Sequence, residues 1–538
     1  MAVTTPTTQG RGGRTVLELD GASLTVRDAL EVSRRGRTVQ LSERAARAVS
    51  ASQRLKDELI AKEIPIYGVT TGFGDSAHRQ ISPGKTARLQ QNIMRFMGVG
   101  TGPVAPPEVA RVTMLLRANC LSKGNSGVRV ELVERVLDLL NNDVVPFIPE
   151  RGSVGASGDL APLSYVGRAL AGDGVVAFDG VERDAGSVLA ELGLEPFLLE
   201  AKEGLALTNG TSFMSAFACM AVGASQELAD LADLLTAMAS EAMLGNRGHF
   251  NAFLFDDAKP HPGMVTSARH IRELLADSRL AADSDELFAG GLGGAEFIEL
   301  DRQVQDKYSI RCAPHVTGVL RDVLDWAERW LTVEINSSDD NPLFNVAGGR
   351  VESGGNFYGG HVGQAMDSLK VALANLCDLM DRQLELIVDE KFNRGLTPNL
   401  IPRFEPSHPE AGVHHGFKGM QICASAMTAE AMKLCNPTTI HSRSTECHNQ
   451  DKVSMGTIAA RDARSIVELA QNVAAIHLLA CCQALELRGV EKCSPRTQEA
   501  FRLVREHVAF LDGDRYLDVD IATTVELVQS GAMSTLVG

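Results

Sequence analysis

Five stretches with a helical period, near 212–245, 315–337, 360–392, 417–436 and 452–488, constrain this chain more than any other feature of its sequence. At 1.5 Å per residue the longest would span roughly 50 Å. Helices of that length, apolar on more than one face, belong at the centre of a bundle, and often of an oligomer. Aromatic residues are sparse, at 5% of 538 residues, while Ala and Leu are plentiful, which favours helices over sandwiches. The connecting segments are rich in Gly, Asn, His and Pro, and chemistry would sit there.

The long helices begin at Asn209. Upstream, shorter helical patterns near 42–62, 85–98, 106–121 and 128–142 alternate with Gly-rich segments. Two hairpin signals stand among them: Asp20-Gly21 between 17–19 and 22–25, and Asp179-Gly180. The expectation is a mainly α protein with a long-helix bundle core. Its parts are a disordered tail at 1–14, an irregular α N-terminal domain with small β-hairpins at 15–205, a central bundle at 206–489 and a helical C-terminal part at 490–538.

A net charge of −16 argues against nucleic acid or an anionic membrane as partner. The first 14 residues lack an apolar signal core, and no stretch reaches the ~18 uninterrupted apolar residues of a membrane span. The nearest, Val473–Cys482, contains His477 and reads as a buried core helix. Ten cysteines with no CxxC and no regular spacing read as reduced thiols of a cytoplasmic protein. His414, His415, His441 and His448 carry neither HExxH nor paired spacing, so no metal is expected.

The run Gly152-Ser153-Val154-Gly155-Ala156-Ser157-Gly158-Asp159-Leu160-Ala161-Pro162-Leu163 supports two readings. In one it is a loop capped by Asp159, with Pro162 in the first turn of a helix. In the other, Ala156-Ser157-Gly158 are reactants. A Gly amide, with no Cβ beside it, can attack the carbonyl two residues back. Loss of water closes a five-membered ring, and loss of the Ser157 hydroxyl leaves an exocyclic methylene. The product, 4-methylideneimidazol-5-one, is an electrophile, which no ordinary side chain is.

Further motifs accompany it. Tyr67 lies in Tyr67-Gly68-Val69-Thr70-Thr71-Gly72-Phe73-Gly74, and Asn209 in Leu205-Ala206-Leu207-Thr208-Asn209-Gly210-Thr211, where Asn209 or Thr211 could cap the next helix. Tyr308-Ser309-Ile310-Arg311-Cys312-Ala313-Pro314 puts an arginine just before a helix stop at Pro. Asn336-Ser337-Ser338-Asp339-Asp340-Asn341-Pro342 reads as a turn, and Thr445-Glu446-Cys447-His448-Asn449-Gln450-Asp451 as a polar cap opening the last long helix. Leu89, Ile93, Phe96 and Met97 fall at i, i+4, i+7 and i+8, the spacing of a core-facing stripe.

Together, from about residue 20 to 490, these motifs resemble the aromatic amino acid ammonia-lyase and aminomutase family. The resemblance implies a cofactor self-made from Ala156-Ser157-Gly158. It makes Tyr67 the catalytic base, with its phenol pKa lowered from about 10 by positive or hydrogen-bonding groups. Asn209 would hold the electrophile's carbonyl oxygen, and Arg311 and Asn341 the substrate carboxylate. Tyr308 joins the catalytic set. Leu207, Gln305, Phe357 and Lys418 line the substrate, Glu446 faces its amine, and Gln450 supports the electrophile.

Positions 96 and 97 touch the ring in this family: Ser-His in histidine-specific members, His-Leu in tyrosine-specific ones, Phe-Leu in phenylalanine-specific ones. Phe96-Met97 resembles the last, which implies elimination of ammonia from L-phenylalanine to trans-cinnamate. Thr70 departs from the Asn common in ammonia-lyases, and Val69-Thr70-Thr71 looks like some tyrosine aminomutases. A 2,3-aminomutase forming β-phenylalanine or β-tyrosine, and a tyrosine ammonia-lyase, are therefore the alternatives. A helical scaffold that has lost the chemistry is the non-enzyme one. The family forms homotetramers with active sites shared between chains.

Overall fold

The computed structural model describes residues 15–538 except Ala289, so the expected tail at 1–14 lies outside the described residues. The chain is mainly α. Its contacts divide it into two compact units. One takes the chain up to Gly223 together with Ala327–Asp367 and Pro437–Arg464; the other takes Ala224–Trp326, Ser368–Asn436 and Ser465–Gly538.

The expected long helices form as Ser212–Ala242, Ala313–Glu334, Gly360–Val388, Lys418–Leu434 and Gly456–Arg488. The last has the length and composition to cross a membrane, yet 78% of its most apolar window is buried inside the protein, which makes it a core helix. His477 sits fully buried within it, and burial lowers its pKa to about 3. All ten cysteines are free thiols, six of them buried.

The shorter helices Glu43–Ala61, Thr86–Met97, Pro107–Ser122 and Val130–Asn141 fall where periodicity puts them. The hairpin at Asp179-Gly180 also forms, pairing Val175–Phe178 with Val181–Asp184 through two residues of positive φ.

The hairpin expected at Asp20-Gly21 does not form. Asp20 Oδ1 accepts the N–H groups of Ala22 and Ser23 at 2.8 and 2.9 Å, so the chain does turn there. Thr25 and Asp28 then form a reciprocal capping box that starts the helix Val26–Ser33, and no second limb extends. Thr15–Leu19 pairs instead with Arg37–Leu41, in parallel, across that helix.

Two further local expectations are corrected and one is extended. The last long helix opens at Gly456, and Thr445 and Gln450 close a separate turn by exchanging backbone hydrogen bonds. Pro314 does more than stop a helix: the one-turn helix Tyr308–Arg311 ends at Cys312 just before it, and Pro314 itself lies in the first turn of Ala313–Glu334. Asp159 stands at the N-cap position of Leu160–Leu170, but its side chain caps nothing there.

Candidate active site

A cavity of about 630 Å³ opens over Ala156 and Ser157, and every residue lining it belongs to the first unit. The loop beneath is fixed on all sides. Ala156 packs with Val453 and Met455. The N–H groups of Ser454 and Met455 donate to the Gly155 and Val154 carbonyls at 3.2 and 3.0 Å. Asp159, fully buried, accepts from Ser153 Oγ at 2.9 Å, from the Met214 N–H at 2.8 Å and from the Thr457 hydroxyl. Burial pushes its carboxyl up to about 6 against the pull of those three bonds.

Across the loop runs Asn209-Gly210-Thr211. Asn209 and Thr211 are not side-chain caps. Asn209 Nδ2 and the Gly210 N–H both donate to the Ser157 carbonyl oxygen, at 2.8 and 3.2 Å, and the Asp159 N–H returns a bond to the Gly210 carbonyl at 2.7 Å. Gln450 Nε2 donates to Ser157 Oγ at 3.0 Å, its other amide atom being held by the Thr445 hydroxyl. A Cβ at position 158, where φ is +70°, would lie 2.0 Å from the Gly210 carbonyl oxygen. Only glycine fits, the residue that cyclisation needs as nucleophile. The Asn209 Oδ1 is buried with no hydrogen-bond partner. A small-residue tripeptide with two donors on its central carbonyl and a side-chain donor on its hydroxyl fits 4-methylideneimidazol-5-one.

Tyr67 faces this loop from a turn braced by two buried threonines. Thr70 Oγ1 accepts the Ile66 N–H at 2.8 Å and donates to the Ile64 carbonyl at 2.9 Å, so Thr70 shapes the turn and does not line the cavity. The phenol oxygen accepts the Gly74 N–H at 2.9 Å. Its pKa is nevertheless raised, first by burial and further by the Glu446 carboxylate, against the Gly74 bond. The cationic group that would lower it is not among the residues of this cavity that act on it.

Asn341 and Phe357 arrive from the segment after Ala313–Glu334. Asp339 pairs with Arg117 at 2.5 Å and Asp340 with Lys202 at 2.6 Å, all four buried, which pins the turn that carries Asn341. Asn341 Oδ1 accepts the Gly354 N–H at 2.8 Å. The opposite wall is the helix Thr86–Met97. Its core side is Thr86, Gln90, Ile93 and Met94, while Leu89, Ile93, Phe96 and Met97 line the cavity. Phe96 is 49% exposed and tilts against Phe73 at 6.1 Å, so it is not a core residue.

A match to the family model described as aromatic amino acid lyase covers residues 24–506. The chain belongs to the aromatic amino acid lyase family. It is 39% identical over 517 residues to the histidine ammonia-lyase of Stigmatella aurantiaca, covering 96% of this chain and 97% of that one. It is 38% identical over 528 residues to the tyrosine ammonia-lyase of Cupriavidus metallidurans, covering 97% of each. The crystal structure of the tyrosine aminomutase from Streptomyces globisporus superposes with a TM-score of 0.92 at 35% identity, covering 97% of this chain and 98% of that one. This family of carbon–nitrogen lyases and aminomutases is the class that uses 4-methylideneimidazol-5-one.

As an aromatic amino acid lyase, this chain does not gather all the expected site residues around one cavity. Tyr67, Phe96, Met97, Ala156, Ser157, Asn209, Asn341, Phe357, Glu446 and Gln450 line it, with Gly158 directly beneath. Leu207 is fully buried one helical step away, and Leu205 takes the wall. Gln305, Tyr308, Arg311 and Lys418 belong to the second unit. There Gln305, Tyr308 and Arg311 share a shallow surface pocket; Tyr308 is 72% exposed, and the Arg311 guanidinium lies 4.4 Å over its ring.

Sequence reading missed Leu160, Leu205 and Lys452 in the lining, and the Arg117–Asp339 pair behind it. Two arginines, Arg111 and Arg117, inside the mostly apolar run Val109–Leu121 were the available signal.

Proposed function

We propose that this chain is an ammonia-lyase converting L-phenylalanine to trans-cinnamate and ammonia, with an electrophile formed from Ala156-Ser157-Gly158. The observation that carries the substrate is the wall made by Leu89, Ile93, Phe96 and Met97: every residue that the helix Thr86–Met97 gives to the cavity is apolar. A phenol or an imidazole placed there loses water without gaining a partner, whereas a phenyl ring loses nothing.

The 4-methylideneimidazol-5-one supplies a carbon electrophile for the substrate amine, which makes nitrogen a competent leaving group. The chain's own groups do the rest. Asn209 Nδ2 and the Gly210 N–H hold the Ser157 carbonyl oxygen, where negative charge grows. Gln450 orients the Ser157 side. Asn341 spends its amide oxygen on Gly354, which leaves its NH₂ to donate to the substrate carboxylate. Glu446 faces the amine. Tyr67, as phenolate, takes the β-proton, and its bond from the Gly74 N–H stabilises that form.

Arg311, with Tyr308, Gln305 and Lys418, completes the site from neighbouring subunits of a homotetramer. A guanidinium delivered this way gives the carboxylate its planar two-point partner and draws the Tyr67 pKa down. The ten free thiols suit a cytoplasmic enzyme.

A second reading, the 2,3-aminomutase, uses the same residues and re-adds ammonia at the β-carbon. The braced Val69-Thr70-Thr71 turn and the likeness to a tyrosine aminomutase favour it. Separate incubation with phenylalanine, tyrosine and histidine decides among these readings. Cinnamate from phenylalanine alone is expected; a β-amino acid as main product supports the mutase, and coumarate or urocanate as the faster product overturns the phenylalanine assignment.

A further inference from the structure

Behind the Asn209-Gly210-Thr211 strap lies a buried ionic group that no step above uses. The helix Pro107–Ser122 is buried from Val109 to its end, and Arg117 stands within it with no exposed surface. Its guanidinium forks. Nη2 pairs with Asp339 at 2.5 Å, and Nη1 donates to the Asn209 carbonyl at 2.8 Å. Asp339 in turn accepts the Thr211 N–H at 3.0 Å, and the Thr211 hydroxyl stands between Asp339 at 2.8 Å and Glu334 at 2.7 Å, with its one proton given to either carboxyl at a time.

The Asn209 carbonyl and the Gly210 N–H are two ends of one peptide group. Arg117 grips the oxygen end; the nitrogen end points at the Ser157 carbonyl at 3.2 Å. A cation on a peptide oxygen draws electron density toward it and makes the N–H a stronger donor, and such chains of hydrogen bonds reinforce one another where water is absent. The arrangement also dictates residue 210. A Cβ there would lie 2.1 Å from Arg117 Nη1 and 2.6 Å from Asp339 Oδ1, so any side chain would displace the guanidinium from the strap.

Resting on the reading of Ala156-Ser157-Gly158 as the electrophile, we propose that Arg117, held by Asp339, is a positioning residue that polarises the Asn209–Gly210 peptide and so strengthens its grip on the Ser157 carbonyl oxygen. Arg117 touches neither substrate nor reacting atom. Its effect reaches them through one peptide unit.

Deleting Arg117 alone would strand Asp339 as an unpaired buried charge and threaten folding. The test therefore uses Arg117→Lys, which keeps the charge for Asp339 but lacks the planar fork that reaches both partners. A companion variant, Arg117→Gln with Asp339→Asn, keeps a neutral donor and removes both charges. Each is compared with wild type by intact mass, by the near-ultraviolet band of the electrophile, and by kcat and KM for phenylalanine. A conjugated carbonyl absorbs at shorter wavelength when its hydrogen bonds weaken. Arg117→Lys is expected to keep the two-water mass loss, to shift the band to shorter wavelength and to lower kcat about tenfold with KM within about twofold, the pattern of an interaction lost mainly in the transition state. The double variant should fall further. A wild type at full translated mass would overturn the underlying reading of the tripeptide. A wild type at the reduced mass, matched in band and kcat by Arg117→Lys, would overturn this inference alone.

Discussion

The Glu446 carboxylate accepts the Asp75 backbone N–H through both oxygens, at 3.2 and 3.0 Å. The contact ties the Tyr67 turn to the Thr445–Gln450 turn across the cavity mouth. It explains Gly74, where a Cβ would lie 2.2 Å from a Glu446 oxygen. The same charge opposes ionisation of Tyr67.

Glu446→Gln should therefore move the base. Removing a negative charge near the phenol favours phenolate, so the folded-state pKa of Tyr67 falls and the rising limb of kcat/KM against pH shifts to lower pH. The expected outcome is a displacement toward lower pH, because the Glu446 charge is one of the causes that raise the phenol's pKa. The amide oxygen can still accept from Asp75, so the loop stays in place. A limb that is unmoved or moves upward, measured on the free enzyme, would remove Glu446 from the control of Tyr67.

A second prediction concerns stability. Glu334 is half-buried, and its carboxyl is pushed up from 4.5 to about 7, mainly by desolvation, against its bond from Thr211. Folded Glu334 thus keeps a proton that the unfolded chain releases as pH rises from 4.5, and stability falls across the window from 4.5 to about 7. Glu334→Gln should flatten that window and stabilise the protein at pH 8 relative to acid by up to about 3 kcal/mol. Urea midpoints at both ends of the window test this; an unchanged pH dependence would contradict it.

These two cases mark what the sequence makes legible. The long helices are legible because a 3.6-residue period over thirty positions needs no knowledge of what it packs against. Motif identity likewise brings out Tyr67, Ser157 and Asn209. Pairings distant in sequence are not legible. Thr15–Leu19 finds its partner beyond an intervening helix, and Asp159, a cap by its sequence position, is taken by Met214 and Thr457, 55 and 298 residues away. Arg117 and Asp339 stand 222 residues apart, and periodicity says nothing of a contact at that range.

A shared site predicts complementation. Tyr67→Phe and Arg311→Met should each lose most activity, yet a co-assembled mixture should recover about a quarter of the wild-type rate, since half the Tyr67 positions and half the Arg311 positions are intact at random in a symmetric oligomer. No recovery in verified mixed oligomers would mean that one chain supplies both residues.

Substrate choice should respond at position 96. In Phe96→His an imidazole can bond the phenol of tyrosine, while for phenylalanine it is a polar group without a partner, each effect being worth roughly 1–3 kcal/mol. The ratio of kcat/KM for tyrosine over phenylalanine should rise about tenfold or more. Paired rates of cinnamate and coumarate formation measure it, and an unmoved ratio would take Phe96 out of ring recognition.

The claim on which all of this depends is that the chain makes its own electrophile, and intact mass tests it most directly. Wild-type protein should be lighter than its translated sequence by two waters. Ser157→Ala, which has no hydroxyl to lose, should fold yet stay at least one water heavier than that, without the near-ultraviolet band and without ammonia release. A wild type at full mass, or a Ser157→Ala variant that still deaminates at a near-wild-type rate, would contradict the account.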